Sequence, residues 1–466
     1  MEQKVPKNTP LPWPQTVAAS PARQGAASGN SPQAGADGME TEQPDLLSVA
    51  GGRTALRELF DRAVHSVSAE VAMPAAMPAA PHGRLVVIAV GKGAAEMMRI
   101  AQRRAGRPLP GLVVTRYGHV PASREGLHGV ELIEAGHPFP DDASVRAAHR
   151  ALEIAHGLKP GDHLLLLLSG GGSALLAAPA PGIALEDKQA ITRALLQSGA
   201  TIAEINCVRK HLSAIKGGRL AVAAGAARVT TWIISDVPGD DPSFVSSGPT
   251  VADQTTLDMA RGIVARYGIR PPTAVAAALA NSVNETPSAD SLGLAGGETT
   301  IIARARDALA AAGTLARSQG YLVTDLGDNL QAEARHLGAS HAALARRLAA
   351  DGQPRAIISG GETTVTVVNR SGHGGRNLEY LLGLAIALDG APGICALACD
   401  TDGIDGTEDA AGAIVMPDTL DRANALALDP AAHLRRNNAY LFFKALGDLV
   451  VTGPTLTNVN DFRVIL

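Results

Sequence analysis

Residues 164–173 read LLLLLSGGGS. Five leucines run directly into a serine, three glycines and a second serine. The run is far short of the about 20 apolar residues that a membrane span requires. It fits a strand buried on both faces of a parallel sheet, where apolar residues need not alternate with polar ones. The glycines then close the carboxyl end of that strand with a turn almost bare of side chains. Backbone N–H groups in such a turn can approach an anion closely, although a simple tight turn has the same composition.

Outward from this stretch the pattern repeats. RLVVIAV (84–90), GLVVT (111–115), VELIEAG (130–136) and VTTWIIS (229–235) also have strand length and composition. Amphipathic helix-length stretches such as DASVRAAHRALEIAHGL (142–158) lie between most of them. Alternating strand and helix predicts an α/β fold with a doubly wound, Rossmann-like, mostly parallel sheet. A Pro-, Ser- and Gly-containing passage at 286–297 marks a domain junction. Beyond it a second, smaller alternation is expected: TTIIA, a helix over 307–320, YLVTDL and a long helix over 328–352. RAIISGGETTVTVV follows as an extended pair joined at Gly360–Gly361, then a helix from Asn377, ICALACD, AGAIV, and a final strand pair LVVTG and FRVIL. The expected organisation is a low-complexity tail over 1–44, a larger α/β domain over 45–288 and a smaller one over 296–466.

Composition narrows the function classes. Of 466 residues, 46% are hydrophobic, 18% charged and 3% aromatic, with a net charge of −4. No long basic run and few stacking aromatics argue against a nucleic-acid partner. Apolar runs of strand length argue against a membrane partner. The tail is rich in Pro, Gln, Ala, Ser and Gly and is expected to be disordered; it lacks the apolar core of a secretory signal. Cys207, Cys395 and Cys399 form neither a disulfide framework nor a zinc pattern, so buried free thiols and a reducing cytoplasm are expected.

Five segments sit where strands should end. GKGAAEMM (91–98) nearly matches the dinucleotide fingerprint, with Glu96 in place of the third glycine. The acidic residue due about 20 positions later is absent, and an arginine stands in VVTRYGH instead. Lys92 is the alternative functional element, a compact charge facing a phosphate. Ser169, Gly170, Gly171, Gly172 and Ser173 are candidates for a phosphate cradle; of the paired cations Arg209, Lys210, Lys216 and Arg219 in NCVRKHLSAIKGGRL (206–220), some can reach its anion, and Lys210 is taken as the candidate. SDVPGDDPSFVSSGPT (235–250) offers Asp236, Asp240 and Asp241, oxygen ligands suited to Mg²⁺. In SGGETTV and SGHGGRN, Arg376 follows two glycines and is placed to fork a carboxylate or phosphate, while His373 is a candidate base. In CDTDGIDGTEDAAG (399–412), Asp400, Asp402, Asp405, Glu408 and Asp409 form a substrate-facing acidic turn, with Asp402 and Asp405 as the substrate candidates; EF-hand spacing does not hold. Anion-binding turns, cations and carboxylates together are what phosphoryl transfer requires.

These motifs, in this order and together with EAGHPFPD and the ending TGPTLTNVNDFRVIL, resemble the glycerate 2-kinase family, whose C-terminal domain is named MOFRL. The resemblance covers about residues 46–466. It implies two α/β domains with the active site in the cleft between them, ATP as donor, Mg²⁺, and D-glycerate as acceptor giving 2-phosphoglycerate. It also places the key lysine on Lys92 and the key arginine on Arg376. The glycine loop and SDVPGDD would lie at the nucleotide and metal, and Arg376, Asp402 and Asp405 at the substrate. Cys399, where the family often has glycine, and the passage 285–300 depart from its pattern. Some members are named hydroxypyruvate reductase, and an NAD(P)H-dependent reductase is the alternative activity. Assembly, a homo-oligomer among the options, is left open.

Overall fold

The computed structural model describes residues 49–120 and 125–466; the expected tail over 1–44 lies outside them. Six strands form the first sheet: β1 (Leu85–Val90), β2 (Gly111–Arg116), β3 (Val130–Ala135), β4 (His163–Leu168), β5 (Arg228–Ile234) and β6 (Glu298–Ala303). Their order is β3-β2-β1-β4-β5-β6 and every pairing is parallel. The leucine run is β4, buried along its whole length between β1 and β5, with Ile88 beside Leu166 and Leu166 beside Thr231. Central strands of a sheet covered on both faces have no need of a polar side. The edge strands β3 and β6 are partly exposed and carry Glu131, Glu134 and Glu298.

From β1 the chain winds outward through β2 to β3, then returns to β4 and winds the other way. The order therefore reverses between β1 and β4, and ligands of open parallel sheets bind outside the strand carboxyl ends at such a point. The loops GKG and SGGGS follow these two strands.

The second sheet contains β7 (Leu322–Asp325), β8 (Arg355–Gly361), β9 (Ala396–Asp400), β10 (Gly412–Val415), β11 (Leu449–Val450) and β12 (Asp461–Ile465). Its order is β11-β10-β9-β12-β8-β7; only β7 and β8 run parallel. The last strand is inserted antiparallel between β8 and β9, with Asp461 beside both Gly361 and Asp400. Three strand ends are thus brought to one place.

Four expectations are corrected. TTIIA opens no second sheet but closes the first, as β6 beside β5. SGGETTVTVV does not return as a second strand; β8 ends at Gly361, which bridges Leu330, and beyond it Thr364 makes a single bridge with Glu333. Those bridges hold 330–333 extended, so the long helix begins only at Ala334 and ends at Ala349. LVVTG and FRVIL do not pair; β11 joins β10, and β12 enters the sheet centre. The core also crosses the sequence order. The helix Val49–Ser66 sets Leu56, Leu59 and Phe60 in one cluster with residues of both sheets, and Phe60 lies 6.1 Å from Phe462.

Candidate active site

The two glycine turns at the reversal point differ in what their backbone offers. In the first, Lys92 N–H donates to Gly170 O at 2.9 Å, Gly93 N–H to Ser169 Oγ at 2.9 Å and Ala94 N–H to Gly91 O at 3.2 Å. Gly91 has φ of 126°, and a Cβ there would strike Ser169. The N–H groups of Lys92, Gly93 and Ala94 are thus bonded within the protein, and the turn is closed against its neighbour. In the second, the N–H groups of Gly170, Gly171, Gly172 and Ser173 have no acceptor among the described residues. A Cβ on Gly170 would meet the side chains of Asn458 and Asp236, so glycine is what lets these come close.

Both turns border a cleft of about 1020 Å³. Lys92 reaches across it from the first sheet and ion-pairs with Asp402, beyond β9. Arg376 opens the helix Arg376–Leu388 and donates to Glu362 Oε1 at 2.5 Å and Asp400 Oδ2 at 3.0 Å, with Asp461 Oδ1 at 3.3 Å. Asp236, directly after β5, accepts from Asn458 Nδ2 at 3.2 Å, and Asn460 Nδ2 donates to its carbonyl at 2.5 Å. Asp461 is further paired with the buried Arg463. In the cluster of Lys92, Arg376 and the buried Arg463, five carboxylates therefore meet three cations.

This imbalance marks the titrating groups. Burial pushes Asp236 up to about 6, against the pull of Lys92. Burial and then Asp402 push Asp400 up to about 6. Burial works against the charge of Lys92, but Asp402 and Asp400 outweigh it and raise its pKa. Arg376 is raised as well: burial opposes its charge and is overcome by Asp461, Asp400 and Glu362. Both cations stay charged. His137, lining the same cleft, is held down to about 4 by burial and by Lys92, and is neutral at pH 7.

The structure brings together Lys92, Arg376, Asp236, Asp402 and the loop Gly171–Ser173 along the cleft, with Ser169 and Gly170 packed directly behind. It does not bring in the others. Asp240 stands 4.0 Å from Arg304, and Asp241 Oδ1 accepts from Ser243 N–H at 2.8 Å on an exposed turn; the loop bends after Pro238 and carries both away. Lys210 is buried against Asp253 at 2.5 Å, while its neighbour Arg209 faces the cleft. Asp405 lies beneath the helix Arg376–Leu388, accepting from Asn377 N–H at 3.1 Å and Leu378 N–H at 2.9 Å. It stabilises the amino end of that helix and so fixes Arg376 without lining the cleft. Burial raises it to about 7 despite these bonds. His373 is exposed and bonded to Glu408 at 2.9 Å. The three cysteines are buried and free.

Sequence reasoning passed over Glu362, Asn458, Asn460 and Asp461 as site residues and named Asp400 only as a member of the acidic turn. A usable signal lay in TNVNDF: three polar side chains at 458, 460 and 461, immediately before the apolar end of the chain, have no reason to be there unless buried partners await them.

Comparison with known proteins agrees with this architecture. A family model described as a domain of unknown function, DUF4147, matches residues 55–280, and the MOFRL family matches residues 355–461. The fold and cleft thus define a two-sheet α/β protein in which a DUF4147 segment precedes a MOFRL segment. A D-glycerate 2-kinase from Thermotoga maritima is 38% identical over 412 residues, covering 87% of this chain and 96% of its own. A protein of Agrobacterium vitis named "Putative hydroxypyruvate reductase" is 51% identical over 423 residues, covering 89% and 94%. The crystal structure of a glycerate kinase from Thermotoga maritima superposes with a TM-score of 0.80 at 37% identity, covering 90% of this chain and 99% of that one. The chain belongs to the glycerate 2-kinase family.

Proposed function

We propose that the protein is a glycerate kinase that transfers the γ-phosphoryl group of ATP to the 2-hydroxyl of D-glycerate, giving 2-phosphoglycerate and ADP. One observation carries this reading. Lys92 and Arg376, from opposite sheets, converge on a cleft floored by a glycine loop whose N–H groups are unbonded. Such donors and cations stabilise charge spread over a phosphoryl group in flight, and phosphoryl transfer is catalysed almost entirely by positioning and charge compensation. In this reading the SGGGS loop holds phosphate oxygens. Lys92 supplies a point charge, and Arg376 supplies a planar fork for the transferred group and the acceptor's carboxylate.

Magnesium is part of the proposal. No group of three or more metal-ligating side chains occurs among the described residues, so an all-protein cage is not the model. Mg²⁺ usually takes one or two carboxylates and completes its shell with water and phosphate oxygens. The carboxylates of the half-buried Asp236 and the buried Asp400, both lining the cleft, fit that donor set. These two residues would hold the ion, which when bound neutralises charge on the phosphate chain.

The names of the Agrobacterium relatives favour a reductase instead. The first turn speaks against it, because the N–H groups of Lys92, Gly93 and Ala94 are bonded within the protein. Incubating the purified chain with ATP, Mg²⁺ and D-glycerate, and separately with NADH and hydroxypyruvate, tests both. Glycerate-dependent ADP formation is expected. NADH oxidation without any ADP formation would overturn the kinase reading.

A further inference from the structure

The carboxylates of the cleft gather around Lys92 and Arg376; the opposite end is built the other way. Arg209, on the helix Ile202–His211, donates to Ser173 Oγ at 2.7 Å and to Asn206 Oδ1 at 3.5 Å. Lys216 Nζ donates to Ser173 O at 3.0 Å, Ser173 Oγ at 3.1 Å and Ser246 O at 3.0 Å. Among the described residues, neither cation is joined to a carboxylate. Behind them Lys188, only 6% exposed, has no acceptor for its Nζ among the described residues. Burial, and then the nearby Arg209, pull both Lys188 and Lys216 well below the ordinary lysine value. Lys210, a few residues away, shows the usual alternative, a buried lysine matched by Asp253.

Charging a buried amine or guanidinium without a counterion is costly, and an anion that supplies the counterion restores the charge. Three such groups together beside an open cleft are explained if a strongly charged anion completes them. Glycerate brings a single carboxylate, whereas the polyphosphate of a nucleotide brings several charges. The same end is lined by Ile202, 62% exposed, and by Phe244, an apolar flank suited to a flat base. The unbonded N–H groups of Gly170 to Ser173 run from here toward Lys92.

We propose that Ser173 and Arg209, backed by the buried Lys216 and Lys188, form the subsite for the polyphosphate chain of the nucleotide donor. The base then lies against Ile202 and Phe244, and the terminal phosphate points toward Lys92. This deepens the kinase reading and rests on it.

Calorimetric titration of the full chain with ADP, and separately with inorganic tripolyphosphate, tests the subsite without turnover. Arg209→Gln should weaken both by about tenfold to a hundredfold, the value of a charged hydrogen bond. It should also raise KM for ATP and leave KM for D-glycerate unchanged. Lys188→Met should weaken ADP binding while Tm stays level or rises, because it removes a buried amine that has no acceptor among the described residues; a lowered Tm with unchanged ADP affinity would overturn its assigned role. Wild-type ADP affinity in Arg209→Gln, or a raised KM for D-glycerate alone, would overturn the subsite, the latter by placing the acceptor's carboxylate there. A wild-type chain that binds ADP through Arg209 yet transfers nothing to glycerate would support the subsite and sink the kinase reading.

Discussion

Replacing Asp236 by Asn separates what this carboxylate does for chemistry from what it does to the fold. Burial raises its pKa from 3.8 to about 6. At 1.36 kcal/mol per pH unit this shift corresponds to about 3 kcal/mol. A carboxylate raised in the folded state favours folding only while protonated. Its contribution is therefore fully present below about pH 4, is lost as pH rises through about 6, and is constant above. Asn does not titrate, so Asp236→Asn should match the wild type near pH 4 and exceed it at pH 7.5. With an unfolding entropy of about 2.1 cal/mol/K per residue, the unit Asp45–Leu466 should gain about 3 °C in Tm at pH 7.5. Turnover should fall roughly 100-fold, by analogy with the loss of one charge-stabilising group. The assay is thermal unfolding at several pH values beside steady-state kinetics of one preparation. A Tm below wild type at pH 7.5, or an offset that does not change with pH, would refute the electrostatic argument. Wild-type turnover would remove Asp236 from the chemistry.

Lys92→Ala and Arg376→Ala should each lower kcat by roughly 100-fold, and Arg376→Lys should recover little, since an ammonium cannot fork between Glu362 and Asp400; kinetics of the three variants decide this. Asp240→Asn and Asp241→Asn should keep turnover and magnesium dependence within about twofold of wild type, as expected of surface changes, and a lost metal response in either would bring that residue back to the site. Asp405→Ala leaves the N–H groups of Asn377 and Leu378 without an acceptor in a buried place, which should cost about 1–3 kcal/mol and lower Tm; Asp405→Asn keeps an oxygen acceptor and should restore most of it.

The first sheet was legible because its central strands are buried on both faces and so appear as unbroken apolar runs, of which LLLLL is the clearest. The edge strand β6 was assigned to the wrong sheet for the complementary reason: it is half exposed, and nothing local states which neighbour it joins. The place of β12 between β8 and β9 is a long-range pairing that FRVIL alone cannot encode. In the site, Lys92 and Arg376 were visible because each follows glycines at the start of a helix. Asp240 and Asp241 looked equal to Asp236, and only the bend after Pro238 separates them. Lys210 and Arg209 are adjacent in sequence, and a rotation along one helix decides which meets Asp253 and which meets the cleft. Spacing shows which residue types are available; the helix face and the strand order decide which of them meet.

Phosphorus NMR of the product formed from ATP and D-glycerate tests the central claim most directly. The arrangement of Lys92, Arg376 and the SGGGS loop as a phosphoryl-transfer site on the 2-hydroxyl predicts the resonance of 2-phosphoglycerate rising in step with ADP. A product that is 3-phosphoglycerate alone, or no phosphorylated glycerate while hydroxypyruvate is reduced by NADH, would contradict it.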